Sequence, residues 1–115
     1  MIRMTDMAKL HAPIRVEMLS AIARVLDSGR FIGGEDIEAF ERELATALGV
    51  AHVVAVSSGT DALIATLMAM GIGPGDGVVT TPCSFMATSE AIVRVGARPF
   101  FVDIERDSHC LDPRA

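Results

Sequence analysis

Apolar residues recur at helical spacing in the first half of the chain and gather into short runs in the second. Behind Pro13, Ile14, Met18, Ile22 and Val25 mark one helical face, and Gly29 follows where a chain leaves a helix through a left-handed backbone. A loop, Arg30-Phe31-Ile32-Gly33-Gly34, leads to a second helix. Ile37, Phe40, Leu44 and Leu48 line its apolar face, Glu35, Glu38, Glu41 and Arg42 lie off it, and Gly49 closes it. Next, His52-Val53-Val54-Ala55-Val56 is short, β-branched and apolar, which predicts a buried strand opened by a structural His52. From Asp61 to Met70 the residues are apolar almost all round, so this helix is expected to be buried on most sides. Gly71 to Gly77, around Pro74, reads as a turn. Val78-Val79-Thr80 predicts a second strand, Ser84 to Val95 a further helix, and Pro99 to Asp103 a third strand after the turn Gly96-Ala97-Arg98. Strands alternating with helices predict an α/β fold with a mostly parallel sheet. Leu111-Asp112-Pro113 has the form of a helix start with only Arg114 and Ala115 after it, which suggests a truncated sequence.

With 115 residues, half of them apolar, and a mean hydropathy of +0.43, the chain has the material for a folded domain. No repeat or low-complexity linker divides it. The formal charge of -5, with no basic run, argues against nucleic acid as a partner. Met1 to Leu10 mixes Arg3, Asp6 and Lys9 among apolar residues and resembles neither a signal peptide nor a membrane span. Cys83 and Cys110 lie far apart without metal-like spacing, so a reduced, cytoplasmic protein is expected.

Chemistry concentrates after the first predicted strand. Ser57-Ser58-Gly59-Thr60-Asp61 opens the apolar helix, and Ser58 followed by Asp61 has capping-box form. Gly59 lets a backbone approach a ligand closely and Thr60 adds a hydroxyl, so free N–H groups and the helix dipole make a place for a phosphate. An ordinary capped helix reads the same way. The segment lacks the glycines of a dinucleotide fingerprint and the Gly-Lys-Ser/Thr of a P-loop. Phe85 follows the second strand, at the end of the sheet where α/β proteins bind ligands. Its ring is either a platform for a flat ligand or a core plug. His109 and Cys110, with Asp103, Glu105 and Asp107, are read as a solvated loop and not as a metal site.

Taken in order, these segments resemble one family. Ser28 to Gly34, an acidic helix carrying Phe40-Glu41, Ser57 to Leu63, Gly71 to Asp76, Thr81-Pro82-Cys83-Ser84-Phe85-Met86-Ala87-Thr88 and Pro99 to Ile104 follow the pattern of the DegT/DnrJ-type sugar aminotransferases. The resemblance implies the N-terminal part of the large domain of a fold-type-I pyridoxal-phosphate enzyme. Residues 13–49 would be N-terminal helices and 50–115 the start of the cofactor-binding large domain. It further implies that Gly59 and Thr60 hold the phosphate of pyridoxal 5'-phosphate, with Asp61 beside them, and that Phe85 stacks on the pyridine ring. The family's reaction moves an amino group, usually from glutamate or glutamine, to a keto sugar nucleotide or ketocyclitol, and its active sites form between the subunits of a homodimer.

The family's cofactor-bearing lysine and the carboxylate facing the pyridine nitrogen belong to later sequence. The single lysine here, Lys9, reads as a surface residue, so these 115 residues alone are expected not to transaminate. A sugar-nucleotide dehydratase of the same family, a non-catalytic module for a phosphorylated ligand and a regulatory protein borrowing the fold are the alternatives. The resemblance also implies that His52 to Val56 does not lie beside the second strand.

Overall fold

A computed structural model describes residues 4–115, so Met1, Ile2 and Arg3 of the N-terminal segment lie outside the described residues. The chain divides into two compact units, Met1–Ala55 and Val56–Ala115.

The first unit is helical. Helix α1, Met7–His11, starts where the Asp6 side chain accepts from the Lys9 N–H at 3.1 Å. A 3-10 turn over Ala12–Ile14 carries Pro13, and α2 runs over Arg15–Ser28. The helical region therefore begins before Pro13, because Asp6 caps an earlier turn. Gly29 ends α2 with φ +66°, the left-handed conformation that a side chain disfavours. Helix α3, Glu35–Leu48, has Glu35, Asp36 and Glu38 in its first turn, where carboxylates complement the helix dipole.

The predicted strand at His52 to Val56 is not formed. Among the described residues it has no ladder partner, and the Ala55 N–H donates instead to the Glu41 carboxylate at 2.7 Å. A strand is defined by its neighbour, and a β-branched run without one stays irregular. His52 is accordingly exposed rather than buried.

The second unit is α/β. It comprises α4 (Gly59–Ala69), β1 (Gly77–Thr80), α5 (Ala87–Arg94) and β2 (Arg98–Phe101). The strands pair in parallel, Gly77 opposite Arg98 and Thr80 opposite Phe101, with α5 as the connection that parallel pairing requires. Helix α5 packs on both strands and on α4. Its Ala91 and Ile92, only 1 % and 3 % exposed, form the centre of the unit with Ala97 and the buried Thr80. Full burial of one Ile side chain stabilises by about 1.5–3 kcal/mol. Between α5 and β2, Gly96 has φ +84°, and a Cβ there would meet Pro74 Cγ at 2.9 Å, so glycine is required on both counts.

Two further expectations are corrected. Helix α5 starts at Ala87 and not at Ser84, because Thr81 to Met86 is drawn into turns. The Cys83 N–H donates to Thr81 Oγ1 at 3.0 Å, and Ser84 and Thr88 join hydroxyls at 2.9 Å. Helix α4 is not buried on most sides. It packs on α5, but none of its residues is fully covered and Met68 is 66 % exposed.

At the end of the chain, Asp112 Oδ1 accepts from the Arg114 N–H at 2.9 Å, the bond an N-cap makes, within a turn. No helix among the described residues is long and apolar enough to cross a membrane.

Candidate functional site

The Ser57–Asp61 segment is built around the start of α4. Ser58 is the N-cap, in extended conformation with φ -160° and ψ 165°. Its Oγ accepts from the Asp61 N–H at 3.1 Å, satisfying one of the donors that a helix start leaves unpaired. The Asp61 side chain does not complete a capping box by reaching back to backbone. Its Oδ2 accepts instead from the Ser58 hydroxyl at 2.9 Å and from the Ser57 hydroxyl. The hydroxyls of Ser57 and then Ser58 hold the Asp61 carboxyl below the usual carboxylate range. Desolvation opposes them, and the positive charge of Arg94 adds to them.

What remains free is the donor set for an anion. Among the described residues the N–H groups of Gly59 and Thr60 meet no acceptor and Thr60 Oγ1 makes no hydrogen bond. Above Gly59 a Cβ would find nothing within 4 Å, so the backbone is open to close approach. Two aligned N–H groups, a hydroxyl and the positive end of an 11-residue helix are chemically suited to a phosphate.

Phe85 lies in the turn after β1 and is 80 % exposed, so it plugs no core in this chain. It borders a cavity of about 290 Å³ at the carboxyl ends of the strands, with Thr81 and Ser84 on one side and Phe101, the last residue of β2, on another. That is the end of an open α/β sheet at which ligands bind. Residues 57–61 do not line this cavity, so the structure does not bring Phe85 and the Ser57–Asp61 turn together around one cavity. Lys9 is in α1, in the other unit. Cys83 and Cys110 are free and exposed, and Glu105, beside Cys110, accepts from Ser108 Oγ at 2.9 Å.

Ser57 is the residue of this turn whose contact its type alone does not reveal. A serine one position before an N-cap is unremarkable until the turn brings its hydroxyl to the Asp61 carboxylate. The only signal for it in sequence is the doubled serine ahead of Gly59.

The chain is 47 % identical over 104 residues to a UDP-N-acetyl-3-dehydro-alpha-D-glucosamine 3-aminotransferase of Acidithiobacillus ferrooxidans, a match covering 90 % of this chain and 28 % of that protein. It is 42 % identical over 108 residues to a dTDP-3-amino-3,4,6-trideoxy-alpha-D-glucose transaminase of Streptomyces venezuelae, covering 94 % and 28 % respectively. Among solved structures, an aminotransferase from Brucella abortus superimposes with a TM-score of 0.92 at 40 % identity, over 97 % of this chain and 30 % of that one. A Bacillus subtilis protein solved with bound cofactor PMP gives 0.80 at 42 % identity, over 84 % and 22 %. The chain thus spans less than a third of the length of the relatives it matches. The model of one family matches residues 13–115, nearly the whole sequence. The chain belongs to the DegT/DnrJ/EryC1/StrS aminotransferase family.

Proposed function

We propose that this chain supplies part of the cofactor site of a pyridoxal-phosphate-dependent sugar aminotransferase, with Gly59 and Thr60 as its phosphate-binding turn. The observation that carries the reading is the pair of uncommitted N–H groups at the start of α4, beside the free Thr60 hydroxyl and the open space above Gly59. The residues present fit a phosphate ester. When bound, pyridoxal phosphate supplies an electron sink for moving an amino group, and the protein's part is to hold and orient it.

In this reading the N–H groups of Gly59 and Thr60 and the Thr60 hydroxyl donate to phosphate oxygens, and the dipole of α4 favours the negative charge. The exposed face of Phe85 limits the tilt of the pyridine ring. The substrate class is a keto sugar nucleotide or a related ketocyclitol, in keeping with the sugar aminotransferases among the relatives, and the donor is glutamate or glutamine. The complete enzyme is a cytoplasmic homodimer. Gly59, Thr60 and Phe85 carry no amine, so these residues bind and orient rather than carry the cofactor covalently.

Binding of pyridoxal phosphate to Thr60→Ala tests the assignment. Loss of one charge-assisted hydrogen bond is expected to weaken binding by about 1.5–3 kcal/mol, and Gly59→Val should do worse by closing the approach. Unchanged affinity in Thr60→Ala would reject it.

A further inference from the structure

Resting on that phosphate reading, we propose that Ser57 is a positioning residue of the turn, holding the Asp61 carboxylate so that it does not compete with the phosphate for the N–H groups of Gly59 and Thr60. The turn carries a built-in conflict. Asp61 is the third residue of α4, and a carboxylate in a first turn is drawn to the same positive helix end that attracts a phosphate. If it swung onto the free N–H groups it would occupy the ligand's donors and set a like charge against the ligand.

The hydrogen bonds at this point resolve the conflict. Ser58 Oγ accepts from the Asp61 N–H at 3.1 Å and donates its one proton to Asp61 Oδ2 at 2.9 Å. Ser57 donates its hydroxyl to that same oxygen. Two donors from the residues preceding the helix therefore fix one carboxylate oxygen, while the N–H groups of Gly59 and Thr60 stay open. Arg94 of α5 is the charged group that acts on Asp61 from the packed neighbour, and it is itself engaged by Glu90 at 3.0 Å. Of the contacts that fix the carboxylate, the Ser57 hydroxyl is the one not shared with capping, so its removal leaves Asp61 Oδ2 with the Ser58 hydroxyl alone and loosens the carboxylate while the cap stays in place.

A double-mutant cycle between Ser57 and Asp61 in the complete enzyme tests this, with pyridoxal 5'-phosphate and inorganic phosphate as probes and calorimetry as the readout. Ser57→Ala is expected to lower affinity for both probes about tenfold, the scale of one charge-assisted hydrogen bond. Ser57→Thr, which keeps the hydroxyl, restores it. Asp61→Asn binds at least as tightly as the unaltered protein, and Ser57→Ala added to Asp61→Asn causes no further loss. An equal loss in both backgrounds makes Ser57 a merely structural residue and overturns the proposal, as does no loss in either. The Asp61 carboxyl, followed by carbon NMR without any ligand, is expected to titrate at higher pH in Ser57→Ala. A midpoint that does not move also overturns the proposal. Failure of the phosphate reading shows separately, as unchanged phosphate affinity in Thr60→Ala.

Discussion

At the scale of single residues, the site depends on what each side chain leaves uncommitted. In the proposed site Thr60 and Gly59 are assigned on their idle donors, and Phe85 on its uncovered ring. Phe85→Leu keeps apolar volume and loses the flat face. Since the ring is exposed, stability should change by no more than about 0.5 kcal/mol, while cofactor affinity falls by about 0.5–1.5 kcal/mol. A thermal melt paired with a binding titration checks both, and a large stability loss with unchanged affinity would restore Phe85 as a core residue. The Ser58-capped helix start and the position of Phe85 after β1 were legible in sequence because local chemistry defines them. Ser57 was not, since its role exists only once the turn has formed.

At the scale of elements, caps and glycines were readable and strand pairing was not. Gly29 and Gly49 terminate α2 and α3 with φ near +66° and +68°, as their positions after apolar periodic runs predict. Helix existence is a local property, and so is the turn at Gly96. A strand's partner is remote, so the apolar run from His52 to Val56 does not itself show whether it has one, and only the family resemblance implied that it would not lie beside β1. Burial of α4 failed for a related reason, because an apolar surface does not say what will cover it. Gly96→Ala combines a disfavoured backbone with a clash on Pro74 and should destabilise the complete enzyme by more than about 1 kcal/mol in chemical denaturation. Ser58→Ala removes the N-cap of α4 and should cost about 1 kcal/mol. The start of α4 also responds to acid. The Asp61 carboxyl is held below its usual range when folded, so its contribution is present above the ordinary Asp range and is lost as pH falls through the lowered value. The protection of the Asp61 and Ala62 amides, taken relative to the intrinsic exchange rate at each pH, should therefore fall first on acidification.

At the scale of the whole molecule, apolar surface outweighs core. In the α/β unit the buried hydrophobic residues are Ala91, Ile92 and Ala97, while Leu63, Met68, Val79, Phe100 and Phe101 remain exposed. Helix α2 leaves Leu19, Ile22 and Leu26 open to solvent. Uncovered strand edges and apolar patches of this kind favour association. A polypeptide of these 115 residues alone should accordingly be poorly soluble or loosely packed, with shallow, non-cooperative unfolding. Strong cooperative protection of both strands in a monomer would contradict that. The family and the α/β architecture were legible because motif order survives in sequence, whereas cover supplied by distant surfaces does not. The central claim, that the start of α4 takes the cofactor phosphate, is tested most directly by residue-resolved amide exchange with and without pyridoxal 5'-phosphate. The account predicts that the Gly59 and Thr60 amides, open without the cofactor, become protected on binding, while the Asp61 amide, already bonded to Ser58 Oγ, changes little. Cofactor binding that leaves Gly59 and Thr60 unprotected, or that protects residues around Lys9 instead, would contradict it.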